Sequence, residues 1–192
     1  YENTIIIYTS DHGSHFKTRN TDSHLNGYDD YKRTGHDAAL HVPLVIAGGP
    51  FTGGITVKEL VSTESIPKTI LSLAGVEVGD AMIGEKLLDV VQKKDNNRVE
   101  QVFAQISESR IGRVIRTPDY LYGVYAPGIN GGEKGASDFY ADDYFYDLKE
   151  DPWQLNNVAA NPAYQAAKED LRHRLLDWIE KAEGYRPKIA DQ

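Results

Sequence analysis

The sequence predicts an α/β layer followed by a small α+β unit, and three observations carry that prediction. Two apolar runs, Thr4-Ile5-Ile6-Ile7-Tyr8 and Val42-Pro43-Leu44-Val45-Ile46, have the unbroken hydrophobicity of strands buried on both faces of a parallel sheet. The second half changes character. Val99–Ile106, Gly112–Arg116, Tyr120–Tyr125 and Tyr144–Leu148 read as four strands with short or loop-rich connections, hence an antiparallel sheet. Finally, Ala167, Leu171, Leu175, Trp178 and Ile179 recur at helical spacing within residues 163–183, with charge on the other side. One terminal helix laid on one antiparallel sheet is an α+β unit.

Between these markers the remaining elements follow in order. Ser10-Asp11-His12-Gly13 comes directly after the first strand, at the end where open α/β sheets hold their ligands. Residues 14–35 are polar and read as a long functional loop. Ala47-Gly48-Gly49-Pro50 breaks the second strand. Residues 64–74 have a helical apolar face made by Ile66, Ile70, Leu71, Leu73 and Ala74, with Ser62 or Thr63 as a cap and Gly75 as a stop. Residues 85–92 read as a short helix. The charged stretch from Lys93 to Arg98 reads as a linker, which gives two domains, 1–96 and 97–192. A buried strand that opens the chain without neighbours predicts a large N-terminal part beyond Tyr1.

Bulk composition excludes several function classes. With 40% hydrophobic and 26% charged residues the chain has the composition of a globular domain. A net charge of −8 disfavours nucleic acid and anionic membrane surfaces, which attract basic patches. The chain contains no cysteine, so disulfides, thiolate metal sites and a cysteine nucleophile are all excluded from these residues. No apolar run approaches the roughly 20 residues of a membrane span.

Two clusters carry chemistry. Asp11 and His12 place a carboxylate and an imidazole side by side, and Gly13 lets the backbone turn tightly beside a ligand. Oxygen donors favour Ca²⁺ or Mg²⁺, while the imidazole also suits zinc or manganese. Lys32 and Arg33, with His36 close by, form a set that donates charge-assisted hydrogen bonds to a tetrahedral anion. Taken singly, each cluster also reads as an ordinary loop: Asp11 as a cap, Lys32 and Arg33 as solvated surface.

The order of motifs resembles the second half of the sulfatases, members of the alkaline phosphatase superfamily. Thr9-Ser10-Asp11-His12-Gly13 is followed by Lys32, eleven positions before Pro43 of His41-Val42-Pro43-Leu44-Val45-Ile46. Then come Ser65-Ile66-Pro67-Lys68-Thr69-Ile70-Leu71 with Leu73-Ala74-Gly75, Arg116-Thr117-Pro118-Asp119-Tyr120, and Tyr146-Asp147-Leu148 with Asp151-Pro152 and Leu155-Asn156-Asn157. The resemblance implies the C-terminal part of an alkaline-phosphatase-like α/β/α sandwich, followed by the small subdomain. It further implies a sulfuric ester hydrolase acting on sulfated carbohydrate. Asp11 and His12 would be two ligands of one Ca²⁺ (Mg²⁺ being the alternative), and Lys32 would touch the sulfate. Arg33 and His36 would select the substrate. It implies a periplasmic, secreted or lysosomal location.

The sequence departs from the family pattern at the nucleophile. The family carries C/S-x-P-x-R, whose first residue becomes formylglycine, and no such string is present. Ser65-Ile66-Pro67-Lys68-Thr69 ends in Thr and falls within the expected helix, so it reads as structural. The chain alone is therefore expected not to turn over and to need the N-terminal half of the same protein. Two other readings compete: a related phosphodiesterase or phosphonate hydrolase, and a non-catalytic binding module.

Other residues are assigned to structure. His15, Lys17, Arg19 and His24 are expected to be solvated loop residues and His173 a surface residue. Tyr140, Tyr144, Phe145 and Tyr146 are expected to pack, Asp142-Asp143 to end a loop, and Trp153 to pack beneath the terminal helix.

Overall fold

The computed structural model describes residues 2–15, 31–79, 82–92, 100–108 and 110–191. Contacts divide the chain into two units, Tyr1–Thr9 with Pro43–Val102 and Ser10–Val42 with Phe103–Gln192. The expected linker from Lys93 to Arg98, and with it the boundary at 96/97, lies outside the described residues, as do Lys17, Arg19 and His24.

In the first unit, β1 (Ile6–Thr9) pairs with β2 (Leu44–Ala47) in the register Ile6↔Ala47 and Tyr8↔Val45. The pairing is antiparallel, which corrects the expected parallel arrangement. An apolar run encodes burial but not strand direction. Nor are both faces covered within this unit. Ile7, Leu44 and Ile46 are half-buried, whereas Ile6, Tyr8 and Val45 are 48%, 64% and 59% exposed on the shared opposite face.

The Ser65–Thr69 string begins α2 (Ser65–Leu73) and has the structural role expected of it. The Ser65 hydroxyl accepts from the Glu85 amide at 3.1 Å, and the Thr69 hydroxyl accepts from the Leu87 amide at 2.9 Å. Lys68 Nζ donates to the carbonyls of Met82 and Gly84. These side chains satisfy backbone groups leading into and opening α3 (Leu87–Gln92), groups that would otherwise be costly to bury. Gly75 ends α2 at φ 73°, in the left-handed region that favours glycine. The N-cap is Glu64, with no side-chain cap bond, and Ser62 Oγ accepts from the amide of Glu64 itself, outside the helix.

The second unit holds α1 (Asp37–Leu40) and a five-stranded sheet. Its strands are β3 (Val102–Ser107), β4 (Ile111–Arg116), β5 (Tyr120–Tyr125), β6 (Phe139–Asp147) and β7 (Lys188–Ala190), in that spatial order. Strands β4, β5 and β6 are antiparallel neighbours, as expected. The expected four strands gain a fifth, β7, which runs parallel to β6. Parallel neighbours need a crossover, and α4 (Gln165–Glu183) supplies it. Three residues after Pro187 leave too short a pattern to read as a strand.

Period-two alternation gives the sheet two apolar faces. Ile111, Ile115, Tyr122, Val124 and Phe145 face Leu171, Leu175 and Ile179 of α4. Each of these three helix residues, at most 2% exposed, contributes about 2 kcal/mol by burial. Ile106, Val114, Leu121, Tyr144 and Tyr146 form the other face. A register shift between Gly123 and Val124 pairs Gly123 with Tyr144 but Val124 with Asp142. Asp143 is the extra residue of this bulge, and it resets the alternation so that Tyr144 and Tyr146 share the second face.

A 3-10 turn, Pro162–Tyr164, leads into α4 and is capped by the Asn161 side chain accepting from the Ala163 amide, and Gly184 at φ 77° ends α4. Asp142 and Asp143 correct the expected loop end: both are buried in mid-β6. Asp142 accepts from Lys168 at 2.7 Å, from Arg172 and from the Tyr122 hydroxyl. Asp143 pairs with Arg110. These partners make burial of the carboxylates tolerable. Trp153 also differs from expectation, since it is 70% exposed. The neighbouring signature residues act on the backbone instead. Asp151 Oδ2 accepts from the amides of Leu155 and Asn156, and Asn157 ties the Phe145 amide to the Asp143 carbonyl.

Candidate active site

Asp11 and His12 lie on a turn that docks against α1. The Gly13 amide donates to the Ala39 carbonyl at 2.7 Å. A Cβ on Gly13 would stand 2.2 Å from the Ala38 carbonyl oxygen, so only glycine permits this approach. The turn presents the Asp11 side chain to solvent, 86% exposed, with the half-buried His12 beside it. Asp11 Oδ1 accepts from the His12 amide at 2.9 Å. That bond, followed by the nearby imidazole, holds the carboxyl below its ordinary value.

The His12 ring has a defined orientation. Its Nδ1 lies 2.7 Å from the Gly13 carbonyl oxygen. A carbonyl can only accept, so Nδ1 carries the proton and the neutral ring keeps its lone pair on Nε2. Nε2 lies 3.7 Å from Asp11 Oδ2. An imidazole whose far nitrogen donates to a backbone carbonyl is oriented as metal-ligating histidines are. One nitrogen and one carboxylate oxygen therefore face the same space, a donor pair suited to a divalent cation. Among the described residues no group of three or more metal-ligating side chains converges, so this pair alone is not a complete coordination sphere.

The Lys32 segment reaches the same region of the fold. His15 and Tyr31 exchange both backbone hydrogen bonds, at 2.8 and 2.7 Å. The Tyr31 ring meets the His12 ring edge-on at 5.1 Å. Tyr31 adopts φ 64°, and the chain then passes to Lys32 and Arg33. Both lean on Glu108, with Lys32 Nζ 3.5 Å and Arg33 Nε 3.9 Å from its carboxylate. Lys32 is 40% exposed along its side chain.

His36 sits elsewhere. It is 1% exposed, with its ring stacked on His15 at 4.2 Å and against Tyr144 and Tyr146. Its Nδ1 bonds the Thr34 hydroxyl, and its Nε2 lies 3.1 Å from the Tyr146 hydroxyl. His15, expected to be solvated, is 3% exposed in this stack. Sequence reasoning missed Glu108, Tyr144, Tyr146 and Arg116 as partners of the segment. They are remote in the chain, and only the sheet brings them to it. His173, 66% exposed along its side chain, is the surface residue expected.

A family model described as Sulfatase matches residues 1–76. Through these residues the chain is similar to the sulfatases. A sulfatase of Formosa agariphila described as ulvan-active is 30% identical over 95% of this chain, which spans 38% of that relative. A solved structure described as that of a putative sulfatase from Bacteroides thetaiotaomicron matches 95% of this chain and 37% of its own, with TM-score 0.71 and 23% identity. A phosphonate monoester hydrolase of Agrobacterium radiobacter has the same fold, with TM-score 0.68 and 22% identity over 94% of this chain and 36% of its own. The chain thus spans little more than a third of the length of these sulfatase relatives.

Proposed function

We propose that the chain is the C-terminal part of a sulfuric ester hydrolase that acts on sulfated carbohydrate. The observation that carries this reading is the donor pair of Asp11 and His12, with the ring tautomer fixed by Gly13. Asp11 and His12 would hold one divalent cation, Ca²⁺ in the first instance. When bound, that cation offsets negative charge developing on the sulfate oxygens. Lys32, 40% exposed along its side chain, would donate to a sulfate oxygen, and Arg33 would supply a second cationic contact at the same anion. His36, buried and held at both ring nitrogens, would act on the substrate by fixing the segment that carries Lys32.

The remaining acidic ligands and the nucleophile, a formylglycine by resemblance, would come from the upstream part of the same protein. Two facts support such a partner. The relatives are nearly three times as long as the matched region, and the β1–β2 face bearing Ile6, Tyr8 and Val45 is apolar and exposed in its own unit. The ulvan-active relative supports a glycan as substrate. Export to the periplasm, the medium or a lysosome would suit that substrate.

The test uses the chain joined to its upstream sequence and measures sulfate release from sulfated oligosaccharides and hydrolysis of a phosphonate monoester. Sulfate release that a chelator stops, and that Asp11→Asn and Lys32→Ala each lower at least about 100-fold, is the expected result. Hydrolysis of the phosphonate with no sulfate release would replace the reading by the related hydrolase. Sulfate release from residues 1–192 alone would refute the dependence on an upstream part.

A further inference from the structure

Five bonds run from the C-terminal sheet and its following turn to Gly35, His36 and Asp37. The Gly35 amide donates to the Tyr144 hydroxyl at 3.0 Å. His36 Nε2 lies 3.1 Å from the Tyr146 hydroxyl. The Asp37 amide donates to Gln154 Oε1 at 2.9 Å, and the Asp37 carboxylate takes both Arg116 Nη2, at 3.0 Å, and Arg116 Nε, at 3.3 Å. A Cβ on Gly35 would lie 2.2 Å from Val114 Cγ2, so the segment is pressed directly onto the second face of the sheet. All of these sheet residues lie beyond the stretch matched by the family model.

We propose that Tyr146 is a positioning residue for the anion contact made by Lys32, acting through His36 and the Thr34–Asp37 backbone. Its phenol is 1% exposed, so it touches no substrate. A phenol hydroxyl aimed at an imidazole fixes the ring, and the other ring nitrogen in turn holds the Thr34 hydroxyl, two residues from Lys32. A hydrogen-bonded chain in a low-dielectric interior transmits orientation because its members cannot exchange their partners for water. The C-terminal sheet is then part of the anion site, although none of its tyrosines reaches the anion. The inference rests on the proposed role of Lys32.

The experiment titrates the chain joined to its upstream sequence with inorganic sulfate at low ionic strength, following binding by calorimetry and stability by thermal unfolding. Wild type is compared with Tyr146→Phe, Lys32→Ala and, as a control, Tyr122→Phe. Tyr122 is an equally buried tyrosine whose hydroxyl serves Asp142 on the opposite face. Lys32→Ala should abolish saturable binding. Tyr146→Phe should weaken sulfate about fivefold, the worth of one ordinary hydrogen bond. Tyr122→Phe should lower the unfolding midpoint but leave sulfate affinity unchanged. Should Tyr146→Phe not fold, Arg116→Gln, which releases Asp37 from the same segment, should give the same loss of affinity. Unchanged affinity in Tyr146→Phe, or an equal loss in Tyr122→Phe, overturns the inference alone. A wild-type chain that binds no sulfate overturns the role of Lys32 and the inference together.

Discussion

The Nδ1 of His12 lies 2.7 Å from the carbonyl oxygen of Gly13, and this one contact decides which ring nitrogen is available to a cation. At a pH where the ring is neutral, long-range ¹⁵N–¹H correlation should show the proton on Nδ1 and an unprotonated Nε2. A ring found mainly with its proton on Nε2 would remove His12 from the proposed ligand pair.

Gly35→Ala tests how tightly the Lys32 segment is pressed onto the sheet. The new Cβ would overlap Val114 and the Tyr144 hydroxyl. Overpacking of this kind costs about 1–3 kcal/mol, which urea denaturation would resolve. A variant as stable as wild type would mean that the segment can lift away at little cost.

Acid should weaken the second unit through Glu183. Burial raises its carboxyl pKa, but hydrogen bonds from Arg113 and Gln105 outweigh this and leave it below its usual 4.5. A depressed folded value means that the stabilisation is complete above about pH 4.5. It is lost as the pH falls through the folded value. Glu183→Gln should cost about 3 kcal/mol at pH 7, since it leaves Arg113, 1% exposed, without its counter-ion. The penalty should shrink at pH 3, as measured by denaturant midpoints at the two pH values. An equal penalty at both would show that the pair does not set the acid sensitivity.

Alkali should act on the opposite sign of shift. Burial, then the charges of Asp142 and Asp143 respectively, push the Tyr122 and Tyr144 phenols well above their ordinary 10.0. Their contribution is therefore complete below about pH 10 and is lost as pH rises beyond it, because the unfolded chain ionises first. Tyrosinate absorbance should rise together with loss of structure in one cooperative step. Smooth titration of every tyrosine with circular dichroism unchanged would contradict the burial of these phenols.

What the sequence made legible is the part governed by local pattern. Leu171, Leu175 and Ile179 announced α4, Gly75 announced the end of α2, and the alternation in β4 and β5 announced a sheet. Asp11, His12 and Lys32 were singled out by residue type and order, not by any sign that the Tyr31 ring beside Lys32 would meet the His12 ring. Facts of pairing were hidden. The bulge at Asp143 inverts which side chains of β6 face α4, and nothing in Tyr140-Ala141-Asp142-Asp143-Tyr144 marks the slip. Asp142 looked like a loop residue because its partners, Lys168 and Arg172, lie a helix away. The antiparallel sense of β1 and β2 is likewise a fact of pairing that neither apolar run carries by itself.

The sheet of the second unit is one strand layer thick, with α4 against one side and the Gly35–Asp37 backbone against the other. Side chains such as Tyr144 and Phe145 are neighbours in sequence yet serve opposite sides. Damage to the helix should thereby be felt at the proposed anion contact of Lys32 with no change to any residue that makes it. A truncation such as Leu175→Ala, about 3 kcal/mol in a core of this kind, would mimic a binding-site lesion when warm and vanish when cooled. Substitutions that cripple this protein from a distance should accordingly separate by temperature into those that injure the scaffold and those that injure the chemistry.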